Sequence, residues 1–404
     1  MLIRLAWKNV WRSRYRSMVV ITAITMGVWA GIFLYGFFFG MFDQRVRDVI
    51  ENETSHIQIH RQHYRDDFDA HLYIADGRKV MDKLRSDSAV KAATGRILVM
   101  GMIASPATGA GVKINGIDPT EEEQVTKLKE KLKEGRYFAD SLHAPIIISQ
   151  KTADKLKVKL HSKIVLTFQA ANGEITSGAF RIAGIFHSNN SAYDQSNVFI
   201  RRDELSTLVG DSIGYHEIAV LLKDQSMMDA AEKRFQSDWS GLMIENWREI
   251  VPEIAVIVDM FDQLMGIFML IILLSLAFGI INTMLMAIME RTREIGMLMA
   301  IGMNKAKIFL MIAYETVYLA LIGGPLGLLL GYGTIQFFSR RGIDLASFSK
   351  ALSGFGISNM VYPKMAAHNY YNIFFEVVLV ALLASIYPAI KALRLNPVDA
   401  IRKI

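Results

Sequence analysis

The sequence predicts a membrane protein with four transmembrane α-helices and a large extracytoplasmic α+β domain inserted between helices 1 and 2. Three observations support this fold class: long apolar runs, a long stretch of short strand and helix patterns, and basic residues beside the apolar runs. An apolar run of about 20 residues can cross a bilayer as a helix, because a helix bonds its backbone polar groups internally. The predicted boundaries are a cytoplasmic amphipathic helix at 1–16, a first span at 17–41, the extracytoplasmic domain at 42–256, a stalk and second span at 257–289, a cytoplasmic segment at 290–307, a third span at 308–338, an outer loop at 339–369, a fourth span at 370–390 and a cytoplasmic tail at 391–404.

The composition of the 404 residues fits a mixture of membrane and aqueous parts. Hydrophobic residues make up 52% and charged residues 21%, a balance unlike that of an ordinary soluble protein or of one buried entirely in lipid. The absence of cysteine excludes disulfides and cysteine-based metal or nucleophile sites. The formal charge of +6 comes with lysines and arginines beside the apolar runs, which indicates membrane topology rather than nucleic-acid binding.

The first 16 residues predict a basic helix at the membrane surface. Trp7 and Trp11 lie one helical turn apart, among the basic residues Arg4, Lys8, Arg12, Arg14 and Arg16. Aromatic and cationic side chains suit an anionic cytoplasmic surface. A cleaved signal peptide is the competing interpretation, but the following apolar run is too long for one and no small-x-small cleavage site follows it. We therefore expect a permanent span.

Residues 42–256 carry interleaved strand and helix patterns. Alternating or β-rich runs predict strands at 55–60, 96–103, 112–117, 145–149, 163–168, 175–186, 197–200 and 217–222. Helical patterns predict helices at 77–85, 121–132, 150–156, 203–208, 227–239 and 245–262, the last leading into the second span as a stalk. The irregular order of these elements favours a mixed, two-lobed domain over a doubly wound one.

A group of histidines is the one cluster in this domain that could bind a metal. His56 and His60 would share a face of the strand at 55–60, but no carboxylate completes a ligand set at a useful spacing. We interpret these two, with His63 and His71, as exposed strand-edge and loop histidines, and we expect no metal. The sequence contains no Gly-x-Ser-x-Gly and no His-Glu-x-x-His, so we expect no catalytic residues either.

Small and charged residues inside the spans predict how the helices contact one another. Glycines four residues apart permit close packing between helices, and they occur at Gly27 and Gly31 in the first span and at Gly323, Gly327 and Gly331 in the third. Flexibility explains the first pair equally well. Glu315 also lies in the third span, where an ionised group is costly and needs a partner. A polar tie between helices or to headgroups is one interpretation, and a proton path is the other.

The segment between the second and third spans is amphipathic. A charged cluster of Glu290, Arg291, Arg293 and Glu294 precedes apolar residues at roughly helical spacing, Ile295, Leu298, Met299 and Ile301. This pattern predicts a short helix at the membrane surface. An ordinary cytoplasmic loop with anchoring charges explains the residues about as well.

The order of residues in this segment resembles a known family. Residues 282–305, ending in ERTREIGMLMAIGMNK, are similar to the segment that joins the second and third spans in ABC transporter permeases of the MacB/FtsX/LolCE type. Further similar phrases cover nearly the whole chain: WKNVWRSRYRS at 7–17, SHIQIH at 55–60, VKINGIDP at 112–119, LKEGRYF at 132–138, IIISQKTADKLKV at 146–158, FRIAGIF at 180–186, NVFIRRDEL at 197–205 and YPAIKALRLNPVDAIRKI at 387–404.

The resemblance implies a permease subunit that works with a separate ABC ATPase. In that family the segment is a coupling helix that docks on the ATPase, so we expect Arg291, Arg293 and Glu294 to make polar contacts there, with Ile295 and Leu298 as apolar contacts. No Gly-x-x-x-x-Gly-Lys-Ser/Thr occurs in this chain, and ATP and Mg²⁺ are therefore expected on the partner. Two permease copies, identical or different, would pair in the inner membrane with both termini in the cytoplasm, in contact with membrane lipids and not with nucleic acid.

The resemblance leaves the substrate open between three classes of function. In each, mechanotransmission would carry ATP-driven movement from the membrane to the outer domain. The first is release of lipoproteins from the inner membrane, with a periplasmic chaperone as a partner. The second is export of a lipid, peptide or drug through an adaptor and an outer-membrane channel. The third is signalling without transport, in which the outer domain activates a cell-wall hydrolase.

Overall fold

The structure, a computed structural model, describes residues 2–138, 142–210, 214–348, 354 and 356–394, and these form two compact units. The helical unit comprises Met1–Phe42, Asp259–Asp344 and Met360–Ile404, and the sheet unit comprises Asp43–Val258 and Leu345–Asn359. Four helices are long and apolar enough to cross a membrane, and most of the sheet unit lies between the first two of them in the chain. The predicted fold class is confirmed. The predicted cytoplasmic tail lies, from residue 395 onward, outside the described residues.

The secondary structure alternates long apolar helices with a compact mixed region. The helices are α1 Leu2–Arg12, α2 Arg14–Asp48, α3 Tyr64–Asp67, α4 Gly77–Ser86, α5 Pro119–Val125, α6 Gln150–Leu156, α7 Ser191–Ser196, α8 Arg202–Val209, α9 Met228–Asp238, α10 Trp247–Ile250, α11 Pro252–Glu290, α12 Thr292–Ala300, α13 Lys305–Arg341 and α14 Ala367–Leu393. The strands are β1 Ile57–Arg61, β2 Val90–Ala104, β3 Gly109–Ile117, β4 Leu132–Gly135, β5 Pro145–Ser149, β6 Lys163–Gln169, β7 Ile175–Phe186, β8 Asn197–Arg201, β9 Glu217–Leu222, β10 Leu242–Asn246, β11 Ile343–Asp344 and β12 Met360–Val361.

The four apolar helices are longer than the spans that hydropathy predicts. A π-helical segment, Val49–Thr54, continues α2 to a total of 41 residues, while α11 and α13 have 39 and 37 residues. Helical hydrogen bonding continues past the point where the side chains become polar. Hydropathy therefore marks the part of each helix suited to lipid and not its ends.

Within the helical unit, a glycine stripe on α13 packs directly against α2. A Cβ atom at Gly327 would lie 2.6 Å from Val28 Cβ and 2.8 Å from the Thr25 carbonyl oxygen. Gly323 and Gly331 approach α2 equally closely, each with an α2 atom within 2.9 Å of a Cβ position. The Thr25 hydroxyl also donates to the Gly323 carbonyl oxygen at 3.1 Å. The two backbones come this near because no side chain separates them.

Gly27 and Gly31 lie on another face of α2, toward α11. A Cβ at Gly27 would meet Leu276 Cδ1 at an ordinary 3.6 Å, and one at Gly31 would meet the end of Met269 at 3.2 Å. Both neighbours are the ends of flexible side chains. These two glycines thus make looser contacts than the stripe on α13.

The sheet unit is built on one ten-stranded mixed sheet. Its order is β10-β1-β9-β2-β3-β8-β5-β7-β4, with β6 pairing to both β2 and β7. The 15-residue β2 pairs with β9 at one end and with β3 and β6 at the other. Separate apolar cores lie at the two ends, one including Phe235 and Trp247 and the other including Phe168 and Phe180. The unit is therefore two-lobed.

Two of the expected helices differ from the structure. Glu245 belongs to β10, which pairs with β1, and the long helix begins only at Pro252. Proline is suited to the first turn of a helix because that position needs no N–H donor. The helix expected at 121–132 ends at Val125, and β4 begins at Leu132.

The interpretation of His56 and His60 as exposed is wrong. They are 8% and 1% exposed, respectively, because β1 lies between β9 and β10 in the sheet. His56 Nδ1 accepts from the Leu222 N–H at 3.1 Å. His63 and His71 are exposed, as expected, and each faces a nearby aspartate.

A third histidine, His216, joins His60 in a stacked array around Tyr64. The Tyr64 ring lies 5.5 Å from the His60 ring and 5.3 Å from the His216 ring. His216 Nδ1 accepts from the Leu98 N–H at 3.2 Å, and its Nε2 lies 3.0 Å from the Ala70 carbonyl oxygen. This pattern requires the neutral ring protonated at Nε2. Burial lowers the pKa of both histidines.

We predict that the stability of the sheet unit falls as the pH drops below about 6.5. In the unfolded chain the buried histidines bind protons near that pH, whereas burial lowers their pKa in the folded chain. The unfolded state therefore binds more protons, and each such histidine removes up to about 1.4 kcal/mol of unfolding free energy per pH unit in this window. Thermal unfolding of the full chain between pH 7.5 and 5.5 measures the slope.

The matched variants are His60→Gln at the buried position and His63→Gln at the exposed one. The first should flatten the dependence of the melting temperature on pH, and the second should leave it unchanged. Equal slopes for the wild type and both variants would contradict the assignment to buried histidines.

Candidate coupling site

The segment between α11 and α13 is a short helix with defined ends. At its C-terminus Gly302 has a φ of +92°, its N–H donates to the Met299 carbonyl oxygen, and the Met303 N–H donates to that of Leu298. This is a Schellman cap, which favours glycine because that backbone conformation is strained for other residues. Asn304 then caps α13 by accepting from the Ala306 N–H at 3.1 Å. A Gly followed two residues later by Asn thus separates the two helices.

One face of α12 is buried and the other is exposed. Ile295 is 3% exposed and belongs to the apolar core of the helical unit. Arg293, Met297 and Ile301, four residues apart, are all exposed, Met297 to 48% and Ile301 to 85%. Leu298 is half-buried.

This orientation corrects the expected set of contact residues. Ile295 cannot offer the exposed apolar contact that the sequence predicts, because the core of its own unit covers it. Among the predicted polar contacts, Arg293 is exposed, whereas Arg291 and Glu294 are already bonded within the chain. Periodicity located the apolar stripe of the helix but could not tell which side faces the core.

The buried carboxylate of Glu315 on α13 connects three helices. Arg291 Nη1 donates to its two oxygens at 3.1 and 3.2 Å, and Asn9 Nδ2 of α1 donates to Oε1 at 2.6 Å. The Glu315 side chain is 7% exposed and that of Arg291 is 16% exposed. A carboxylate in an apolar helix must find such partners. Of the two interpretations of Glu315, these contacts correspond to the polar tie between helices.

A second set of charges encloses this centre. Arg12 of α1 pairs with Glu294, and Arg16 Nη1 lies 2.7 Å from Glu290 Oε2. Arg291 Nε also contacts Glu294 at 3.2 Å. These pairs join residues near the start of the chain to the N-terminal part of the linker.

Packing reinforces the same arrangement. The Trp7 ring meets the Tyr318 ring edge-on, with centroids 5.3 Å apart. Sequence reasoning identified the N-terminal residues only as a membrane-surface helix and missed Asn9, Arg12 and Arg16 as partners of the linker. Their partners lie some 300 positions away (274 to 306 in the three contacts), beyond the reach of any local pattern. We call Asn9, Arg12, Arg16, Glu290, Arg291, Glu294 and Glu315 the linker network.

Comparison with known protein families decides the identity. Residues 266–397 match the family described as FtsX-like permease C-terminal, and residues 17–238, more than half of the chain, match the MacB-like periplasmic core domain. The chain belongs to the MacB/FtsX family of ABC transporter permeases. The sheet unit is accordingly the extracytoplasmic domain of a multi-pass permease, and α12 lies where the family resemblance puts the coupling helix.

Relatives of this permease include a protein of similar length. An ABC transporter permease of Methanocaldococcus jannaschii is 25% identical over 99% of this chain and 97% of its own. The permease YknZ of Bacillus subtilis is 25% identical over 67% of this chain and 66% of its own. The macrolide export ATP-binding/permease protein MacB of Brucella abortus is 32% identical over 34% of this chain, which corresponds to 22% of MacB. The chain thus matches about a fifth of that MacB.

We predict that Glu315→Gln destabilises the permease by about 2–4 kcal/mol, because Arg291 then loses its buried carboxylate partner and keeps only Glu294. Arg12→Gln, which removes a pair whose arginine is 63% exposed, should cost less than about 1 kcal/mol. Thermal unfolding of the purified full chain in detergent compares the two. Adding Arg291→Met to Glu315→Gln should recover part of the loss, since no buried charge then remains unpaired. Equal effects of the two single changes would contradict the central place of Glu315.

Proposed function

We propose that this permease transmits ATP-driven movement from a separate cytoplasmic ABC ATPase to its extracytoplasmic sheet unit, with α12 as the docking element. The observation that carries this proposal is the linker network, which bonds α12 to α1 and α13 through Glu315. A linker that only anchored two spans would need no buried carboxylate shared between Arg291 of the linker and Asn9 of a third helix, α1. In this assignment both termini and α12 are cytoplasmic, and a second permease copy docks on a second ATPase.

The docking surface is the exposed face of α12. Met297 and Ile301 place two large apolar side chains in solvent, and Arg293 on the same face offers a cation. Exposed apolar side chains next to a charge are typical of protein interaction sites. ATP and Mg²⁺ would be bound by the ATPase, consistent with the lack of a phosphate-binding loop in this chain.

Contacts within the helical unit provide a route for the movement. Displacing α12 would carry α13 with it through Arg291 and Glu315, and α13 is packed against α2 by its glycine stripe. Both α2 and α11 contain residues of both units, since residues 43–48 and 252–258 belong to the sheet unit. These two helices are therefore the proposed stalks.

The interior of the helical unit supports transmission rather than passage of a polar solute through one chain. Its buried polar side chains, among the described residues, are Asn9, Ser17, Thr25, Glu315, Thr316 and Ser385. Each is hydrogen-bonded to another group of the same chain. None of these buried polar side chains is unbonded and available to line a solute path. We therefore propose that the substrate is handled on the extracytoplasmic side. We propose lipoprotein release from the inner membrane as the process served, by resemblance to the lipoprotein-releasing members of the family.

We predict that Met297→Asp combined with Ile301→Asp abolishes transport-coupled ATP hydrolysis, because burying two carboxylates against the ATPase costs several kcal/mol. Insertion into the membrane should be normal. The measurement is ATPase activity of the co-purified complex together with the amount of ATPase retained. Met297→Leu with Ile301→Val keeps the surface apolar and serves as the matched control. Full retention and activity in the aspartate variant would refute docking through this face.

Depletion of the permease tests the substrate. We expect outer-membrane lipoproteins to accumulate in the inner membrane, as measured by membrane fractionation and proteomics of lipid-modified proteins. Complementation with the wild-type chain should restore sorting, and the Met297 and Ile301 aspartate variant should not. Unchanged sorting would reject lipoprotein release and direct attention to export of small molecules or to control of a wall hydrolase, without affecting the permease assignment.

A further inference from the structure

One face of the sheet unit is uncovered and unusually apolar. Strands β3, β2, β6 and β7 lie side by side, and their alternate residues on one side fill the second lobe's core. The residues that point the other way meet solvent. Four of the seven large apolar side chains exposed in the described part of this unit lie on that face: Met100, Met102, Val165 and Ile175.

Small residues fill two rows of this face, while Lys113 and Gln169 are the register partners of Met100 and Ile175. Cross-strand register puts Met102 beside Gly111 on one side and Thr167 on the other, and Thr167 beside Ser177. The next row contains Gly109, Ala104, Val165 and Ala179 in order across the strands. We call this surface the open face. Contiguous apolar surface of this kind on a water-soluble domain marks an interaction site.

Two cations close one end of the open face. Lys163 on β6 is the register partner of Arg181 on β7, and both are exposed. Within the described residues neither side chain has a carboxylate or other partner. Like charges directly opposite in an antiparallel pair repel and destabilise it. An anion between them would remove that repulsion.

The chain leading into β6 adds to the positive charge. Lys155, Lys157 and Lys159 are exposed, and none has an ion-pair partner within the described part of the chain. Lys157 and His161 hold positive φ angles of 54° and 66°, conformations that are uncommon for residues with a side chain. Asp154 is the single carboxylate from residue 142 to residue 163. The charge of this end is therefore strongly positive.

We propose that the open face binds an anionic acyl amphiphile, with its headgroup at Lys163 and Arg181 and its chain along β6 toward Ile175. The inference rests on the proposed handling of lipid-linked molecules by this permease. The outward side chains of β6 from Val165 through Thr167 to Gln169 cover about 13 Å at ~3.3 Å per residue, with the apolar Met102 and Ile175 beside them on the neighbouring strands. One leaflet of hydrocarbon, half of about 30 Å, is about 15 Å deep. An uncharged strip of this length, flanked by exposed apolar side chains and with cations at one end, matches a single acyl chain and its headgroup.

A second copy of the chain fits this face less well. An isologous interface would bring the same surface of two subunits together, and each would present two unneutralised cations to the other. The methionines, in contrast, suit a flexible hydrocarbon ligand, because their side chains are unbranched and adapt in shape.

Photolabelling of the full-length permease tests the proposal. The protein, in nanodiscs of phosphatidylcholine, is exposed to lysophosphatidylglycerol with a diazirine in its acyl chain, and in parallel to the matching zwitterionic lysophosphatidylcholine. We expect the anionic probe to label peptides of β2, β6 and β7. Lys163→Glu with Arg181→Glu should lower that labelling about tenfold, the loss of charge-assisted bonds to the headgroup, while labelling of the spanning helices stays the same.

Two further variants distinguish a specific effect on the open face from a general effect of charge reversal. Arg78→Glu with Lys91→Glu reverses two exposed cations elsewhere on the sheet unit and should leave labelling unchanged. Gly111→Trp keeps every charge and is sterically allowed, since a Cβ there has no atom within 4 Å. Its indole should cover Met102 and reduce labelling by the anionic probe. Size-exclusion profiles and melting temperatures confirm that each variant is folded.

Three results would overturn the proposal: no label on the open face of the wild type, equal labelling of the charge-reversed variant, or protein instead of lipid captured there. The last is tested in cells with a benzophenone residue at position 102, where an adduct with a second copy or with an acidic partner protein shows a different occupant. Labelling requires no ATP, so the aspartate variant of α12 should label normally. Failure of the coupling proposal and failure of this one are therefore separate outcomes.

Discussion

In the described part of the helical unit, one carboxylate is buried, that of Glu315, and the helices are arranged around it. An ionised group inside an apolar helix is stable only when other parts of the chain supply donors, and here the donors are Arg291 from the linker and Asn9 from α1. The requirement fixes where three helices meet. It also makes the linker a poor hinge, since pulling Arg291 away would leave a charge unpaired at a cost of about 3–5 kcal/mol. In the proposed coupling, a displacement of α12 would therefore move α13 and α1 with it.

Glycine packing extends this rigid connection into the spanning helices. At Gly323, Gly327 and Gly331 the α13 backbone lies so close to α2 that no side chain could stand between them. Two helices in such contact have few side-chain rearrangements available, so they shift together. The contacts of Gly27 and Gly31 with α11 are looser and are made by the flexible ends of leucine and methionine side chains. Within the helical unit, the pair formed by α2 and α13 is thus the stiffer element.

Features that neighbouring residues determine could be predicted from the sequence, whereas features that depend on residues distant in the chain could not. Strands β5, β7 and β9 have the predicted ends, because alternation and turn residues determine them within a few positions. The apolar helices were equally evident. Ile295 was assigned to the wrong environment because helical periodicity defines a stripe without saying what covers it. Asn9, Arg12 and Arg16 were missed because their partners are distant in sequence. The predicted exposure of His56 and His60 was wrong for a related reason, because the two residues are buried only through the pairing of β1 with both β9 and β10.

Among the charged residues that the structure describes in the sheet unit are two contrasting groups, buried arginines that are paired with carboxylates and exposed cations that are not. Its buried arginines in the described chain, Arg45 and Arg96, are both paired, and Arg96 donates to Glu122 and Glu217 at 2.6 Å each. Although burial opposes ionisation, Arg96 keeps the pKa of Glu217 below its usual value. Where a cation is costly, the fold neutralises it. Lys163 and Arg181 are treated differently. They are register partners on adjacent strands, no counter-charge pairs with them within the described residues, and their repulsion costs about 0.2–1 kcal/mol. A glutamate at either position would remove this penalty within the isolated chain, and the proposed anionic headgroup at the edge of the open face would remove it in the bound state.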